Sequence, residues 1–333
     1  MYTPLDHPLL HRLRENVLFA AGPIGSTLLS FNLTAKDFVA YPGTDREEMH
    51  DGCPEWLNVS NPEILRRVYR MFYEAGCDAV DSCSFGANDV VFAEFGLEGR
   101  TRELNRLAAQ VIGEVRDSFS TPEWPRYAFG TMGPGTRLPS LGHIEWDELV
   151  VSYREQALGL LEGGIDVLKV ETCQDLLQTK AALAAIAGVF AETGRRVPVV
   201  ASVTIETTGT MLLGSDIACA LTALEAIDVV DIIGINCATG PEQMVEHVRH
   251  LAENSRRPVF IGPNAGLPEV VNGEACYTLT PEEFARYHEI FVDEFGINIA
   301  AGCCGTTPAM YEAAIARIGR RAPKARPSAR PSR

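Results

Sequence analysis

The chain has 333 residues, 46% of them hydrophobic and 22% charged, with a formal charge of −15. That apolar content builds a large core and excludes intrinsic disorder. No stretch approaches the ~18 consecutive apolar residues of a membrane span, and the N-terminal MYTPLDHPLLHRLRENV lacks the basic-then-apolar order of a signal peptide.

In chain order the sequence alternates short apolar runs with amphipathic segments. The predicted strands are Val17–Ala20, Asp78–Ser82, Tyr127–Thr131, Val167–Glu171, Val197–Val203, Val230–Ile235, Pro258–Gly262 and Ile297–Ala301. The clear helices are Pro62–Ala75, Glu145–Glu162, Asp175–Glu192, Asp216–Ala226, Pro241–Glu253 and Pro281–Glu294. In the first of these, Asn61 is a plausible N-cap and Pro62 a good first residue. Leu65, Val68, Tyr69 and Phe72 then share one face.

About eight strand–helix units with no break in composition predict a closed (β/α)8 TIM barrel over residues 1–318. A doubly wound sheet would carry a Gly-rich dinucleotide turn after its first strand, but Pro23 interrupts Ala21-Gly22-Pro23-Ile24-Gly25-Ser26. Residues 319–333 form a separate basic Pro/Arg/Ser tail: six Lys/Arg and no acid fall within 320–333. It reads as disordered, with contact to an acidic partner as the other reading. The acidic remainder argues against nucleic acid as partner.

A soluble, cytoplasmic protein is expected. Nine cysteines without a secretory signal point to a reducing compartment, where clustered cysteines read as metal or redox sites before disulfides.

In a barrel the chemistry sits where strands end. Cys237 follows the sixth strand, and Cys303 and Cys304 follow the eighth, between Gly302 and Gly305. Adjacent residues on a continuing strand point to opposite sides, so both face one site only if the strand has ended, and the glycines allow that turn. Three thiolates with one open position match a catalytic zinc site. Small buried packing residues are the competing reading. Cys53, Cys77, Cys83, Cys173, Cys219 and Cys276 read as packing, less firmly for Cys83 and Cys173 at strand ends.

Gly-Ile-Asn-Cys-Ala-Thr-Gly-Pro at 234–241, Gly-Pro-Asn-Ala-Gly-Leu-Pro at 262–268 and Gly-Cys-Cys-Gly-Thr-Thr-Pro at 302–308 resemble the homocysteine S-methyltransferase family. The nearest likeness is to the homocysteine-binding module of the cobalamin-dependent methionine synthases. Gly133–Pro139, Glu171–Gln178 and Thr207–Gly214 agree in order, and the likeness covers roughly residues 10–318. The resemblance implies a catalytic Zn2+ on Cys237, Cys303 and Cys304, and methyl transfer onto a bound thiolate, by default homocysteine giving methionine. It also implies that Glu171 binds the amino group. Asn236 and Asn264 would fix either the substrate or the ligand turns, and Gly22, Ser84 and Lys169 complete the candidate substrate contacts.

Three departures qualify this. The family's Asp-Gly-Ala-Met-Gly-Thr begins here with Ala21, its Thr-Asn-Thr-Phe reads Ser82-Cys83-Ser84-Phe85, and Lys169 stands where an apolar residue is usual. Lys169 and Glu171 are two apart on a strand and point to the same side. A buried Lys169 would pair with Glu171 or Asp81, and an outward one would snorkel to solvent. An altered amino-group pocket, and hence a different thiol, is therefore an alternative. A non-catalytic zinc or thiol-binding partner of a corrinoid protein is another. No Asp-x-His-x-x-Gly cobalamin signature occurs in these residues. The expected methyl donor is thus methylcobalamin on a separate corrinoid protein, or else a small molecule.

Overall fold

The apolar runs become eight parallel strands, buried along almost their whole length in the computed structural model, which describes residues 4–45, 47–271 and 274–324. They are β1 (Leu18–Ala21), β2 (Ala79–Asp81), β3 (Tyr127–Met132), β4 (Val167–Cys173), β5 (Val199–Val203), β6 (Ile232–Asn236), β7 (Val259–Gly262) and β8 (Ile299–Gly302). Each predicted strand overlaps one of these. Together they close a barrel in chain order, as expected for parallel strands covered on both faces.

The alternating helices are α1 (Pro62–Glu74), α2 (Thr101–Phe119), α3 (Trp146–Gly163), α4 (Leu176–Thr193), α5 (Ile217–Glu225), α6 (Pro241–Asn254), α7 (Pro281–Ile290) and α8 (Pro308–Ile318). Six lie close to their predicted positions, and α7 runs on into a π-helical turn, Phe291–Phe295. In α1, Leu65, Val68, Tyr69 and Phe72 are all fully buried. Asn61 does stand at its N-cap, but its side chain makes no capping bond and donates to Asp37 instead.

The α2 and α8 helices are absent from the sequence prediction. The buried side of α2 includes Thr101, Asn105, Ala108, Ala109 and Gly113, too small or polar to stand out as a helical stripe. The close approach of α2 and α3 shows why α3 carries Gly163: a Cβ there would lie 2.4 Å from the Arg106 carbonyl oxygen.

Two compact units are described separately. The first comprises residues 1–22, 171–176 and 198–333. In it β8 pairs with β1 on one side and β7 on the other, β7 pairs with β6, and β6 with β5. Residues 319–324, assigned to the tail by sequence, are held here. The Val17 N–H donates to the Arg321 carbonyl at 2.9 Å, and Arg321 pairs with Asp293 at 2.7 Å. The rest of that expected tail, 325–333, lies outside the described residues.

The second unit comprises residues 23–170 and 177–197, where β2 pairs with β3 and β3 with β4. Its buried Glu55 accepts the Gly86 N–H at 2.6 Å and the Cys53 thiol at 3.7 Å. Burial pushes the Glu55 carboxyl above its ordinary value. A raised carboxyl contributes stability that is fully present below its unfolded pKa and is lost as pH rises through the folded value. Glu55→Gln keeps an acceptor for Gly86 and removes the titration. Its melting temperature should therefore exceed that of the parent at pH 8 and match it near pH 4. A variant less stable than the parent at pH 8 would contradict this reading.

Among the described residues no helix is long and apolar enough to cross a membrane.

Candidate metal centre

The ends of β6 and β8 both turn abruptly, and the turns bring the three sulfurs together. After Asn236 the chain leaves β6 through Cys237 and Ala238, whose φ angles are 63° and 58°. Left-handed backbone at two successive non-glycine residues persists only where the surroundings enforce it. Here the Cys237 N–H donates to the Gly262 carbonyl at 3.0 Å, and the Thr239 N–H donates back to the Cys237 carbonyl at 2.7 Å.

After Gly302 the second turn is held in the same way. The Cys303 N–H donates to the Pro263 carbonyl at 2.8 Å, and the Cys304 N–H to Asn264 Oδ1 at 3.1 Å. The Thr306 hydroxyl closes the turn on the Cys303 carbonyl at 2.8 Å. The strand has therefore ended before the cysteine pair, as the sequence requires if both are to face one point.

The sulfurs of Cys237, Cys303 and Cys304 lie within 4.8 Å of one another, and those of Cys237 and Cys304 are 3.9 Å apart. A tetrahedral zinc with Zn–S bonds of ~2.3 Å needs sulfurs ~3.8 Å apart, so the donor set and its spacing fit that ion. All three cysteines are partly exposed, leaving a route in. Hydrogen bonds from Cys303 and Cys304 draw the Cys237 thiol down to about 3, while the same sharing pushes Cys304 up to about 11 and Cys303 well above its ordinary value. The three thiols titrate as one unit and share the first negative charge among them.

Gly305 completes the second turn at φ 77°, and a Cβ there would lie 2.3 Å from Cγ of the Tyr277 ring. Gly305→Ala meets both penalties at once. A loss of about 1–3 kcal/mol is expected from the backbone strain alone, seen as a lower melting temperature. A variant as stable as the parent would show that the turn does not need its glycine.

Glu171 and Asn236 join this centre. Glu171 is only 5% exposed, and its Oε2 accepts from Asn236 Nδ2 at 3.4 Å. The Asn236 carbonyl accepts the Thr204 hydroxyl at 2.9 Å. Asn264 serves the ligand turn through its bond to Cys304. Gly22 follows β1 at the same end of the strands, its N–H donating to the Gly302 carbonyl at 3.3 Å.

Sequence reasoning did not single out Thr172, Ser202 or Tyr277. Ser202 carried a signal, a lone hydroxyl within the apolar run Val199–Val203. Tyr277 lies with its ring beside Gly305 of the ligand turn, from a segment with no strand or helix signal of its own.

Ser84 and Lys169 belong to the second unit. The Ser84 hydroxyl is fully buried and bonds the Thr131 carbonyl at 2.8 Å and the Ser82 hydroxyl at 2.7 Å. Lys169 is inward: its ammonium meets Asp81 Oδ2 at 2.5 Å, with both side chains almost wholly buried, which decides against the snorkelling alternative. Cys83, at the family's Asn position, turns its thiol to the Pro54 carbonyl at 3.4 Å. Cys53, Cys77, Cys83 and Cys173 are buried as packing residues, whereas Cys219 on α5 is exposed and corrects that expectation.

The family model for homocysteine S-methyltransferase matches residues 18–318. Methionine synthase of Mycobacterium tuberculosis is 44% identical over 318 residues, covering 95% of this chain and 26% of the relative. Methionine synthase of Mycobacterium leprae is 42% identical over 315 residues, covering 95% and 25%. The chain thus spans about a quarter of the length of these curated relatives. Among solved structures, the metallated homocysteine methyltransferase MmuM of Escherichia coli superposes with a TM-score of 0.72 at 21% identity, covering 93% of this chain and 100% of that one. This last likeness is one of fold.

Proposed function

The chain belongs to the homocysteine S-methyltransferase family, and from that premise we propose that it is a zinc-dependent thiol S-methyltransferase, by default converting homocysteine to methionine. The observation that carries this reading is the meeting of three sulfurs from two strand ends within 4.8 Å. Cys237, Cys303 and Cys304 would hold the ion. Zinc bound there lowers the pKa of an incoming thiol and presents it as a thiolate at neutral pH.

The protein's own part is placement. Glu171 offers a buried carboxylate to the acceptor's ammonium. Asn264 and the carbonyls of Gly262 and Pro263 hold the ligand turns. In the transfer the thiolate sulfur gains the methyl carbon, and the electron pair of the broken bond stays with the donor. We take that donor to be a methylcorrinoid held outside these residues, in keeping with the cobalamin-dependent methionine synthases the sequence resembles. A methylsulfonium or betaine is the small-molecule alternative. A cytoplasmic setting keeps the three thiols reduced.

A different acceptor thiol is the second reading, favoured by particular residues. Ala21, fully buried, stands where the family has Asp, Cys83 turns its thiol away to Pro54, and Lys169 is paired with Asp81.

Methyl transfer from methylcobalamin to a panel of thiols, with and without chelator, tests both. Chelator-sensitive methylation of homocysteine that needs its amino group supports the first reading, and preference for a thiol without that group supports the second. Zinc bound with no transfer to any thiol from any donor would leave only a binding role.

A further inference from the structure

Asn236 stands one residue before the first sulfur, and its carboxamide touches both ends of the acceptor site. On the oxygen side, the Ser202 hydroxyl donates to Oδ1 at 2.6 Å and the Thr172 N–H donates at 3.0 Å. A backbone N–H can only donate, so the amide oxygen must face it, and the orientation of the side chain follows from its partners. The amide nitrogen is therefore aimed at Thr172 Oγ1 (2.9 Å), Glu171 Oε2 (3.4 Å) and Cys303 Sγ (3.8 Å).

Thr172 adds a second observation. Its φ is 57°, left-handed in a β-branched residue, which costs about 1–3 kcal/mol unless the surroundings impose it. Its N–H donates to Asn236 and its hydroxyl oxygen accepts from Asn236, a reciprocal clamp that holds the strained residue in place. Glu171 is the preceding residue, so the aim of its carboxylate depends on the same clamp.

Resting on the methyltransferase reading, we propose that Asn236 is the positioning residue that couples the metal end of the site to its amino-group end, and that it thereby sets which thiol-to-ammonium separation fits. Its N–H groups draw charge from the Cys303 sulfur and steady the Glu171 carboxylate, so one rigid amide fixes the distance between the two. An amino-acid thiol of another chain length would reach the sulfurs or the carboxylate, but not both.

The test is Asn236→Asp in the zinc-loaded protein. The change is nearly isosteric, removes the N–H donors and sets a negative oxygen against Glu171 and Cys303. Zinc affinity, read by competition with a chromophoric chelator, should fall about 10–100-fold. In the cobalt-substituted protein the sulfur-to-metal charge-transfer band should shift. The KM for homocysteine should rise by a larger factor than kcat falls, and the preference for homocysteine over cysteine should narrow. Ser202→Ala loses only the anchor on the oxygen side and should move the same quantities in the same direction by a smaller factor.

Affinity and cobalt spectrum need no turnover, so they judge the coupling even if no thiol is methylated. Absence of turnover in the parent, by contrast, counts against the functional reading alone. A folded Asn236→Asp with parental affinity and parental spectrum overturns the proposal. If that variant does not fold, an unchanged spectrum and affinity in Ser202→Ala overturns it instead.

Discussion

On the proposed zinc methyltransferase reading, Cys303→Ser should strip the chain of zinc and of methyl transfer while leaving its fold intact. Binding at structural zinc sites of four ligands amounts to about 10–16 kcal/mol. One thiolate is then worth on the order of 3 kcal/mol, about a hundredfold in affinity. A serine hydroxyl is the harder donor and a poor replacement for a soft thiolate. The fold should not follow, because the bonds that shape the turn are made by the Cys303 backbone: its N–H reaches Pro263, and its carbonyl receives Thr306. Elemental analysis after dialysis against a mild chelator should find close to one zinc per chain in the parent and almost none in the variant, with similar circular dichroism. Cys83→Ser is the control, since that thiol is buried against the Pro54 carbonyl and should leave zinc in place. Stoichiometric zinc in Cys303→Ser would remove that sulfur from the metal centre.

Asp81→Ala is expected to destabilise the barrel strongly. It deprives a buried ammonium of the carboxylate 2.5 Å away, in a place where neither side chain reaches water. Burial pushes the Asp81 carboxyl up, and the ammonium beside it pulls the other way. Breaking such a pair from one side costs about 3–5 kcal/mol, which for a chain of this size is a fall in melting temperature of about 4–7 °C. Replacing both partners with apolar residues leaves no charge stranded, so Asp81→Leu with Lys169→Met should recover most of the loss. Thermal or urea unfolding of the single and double variants makes the comparison. A single variant as stable as the parent, or a double variant no better than the single, would refute the account.

The strands were legible because burial on both faces turns each into an unbroken apolar run. The metal centre was legible because two cysteines between glycines cannot serve one site unless the strand stops there. Other features had no local signature. The left-handed backbone at Thr172, Cys237 and Ala238 falls on residues that do not ask for it, and bonds from elsewhere in the chain impose it. The role of Asn236 depends on Ser202, a neighbour across the sheet, and so required the pairing of β5 with β6. For Lys169 the sequence named Asp81 or Glu171 as partners, and only the register of β2, β3 and β4 placed Asp81 against it. The α2 helix was hidden by its small and polar contact residues. Exposed Cys219 shows the reverse error, an apolar residue type assigned to the interior by habit of composition.

One strand, β7, lies between the two ends that carry the cysteines, and its last residue and the two that follow accept the N–H groups of all three: the Gly262 carbonyl from Cys237, the Pro263 carbonyl from Cys303 and the Asn264 side-chain oxygen from Cys304. None of those bonds involves a sulfur atom. The turns are thus held by two carbonyls and one side-chain amide, and removing a bound ion should not dismantle them. On the zinc reading proposed above, a chain stripped by chelator should regain the ion on resupply without refolding, the same molecules waiting in between.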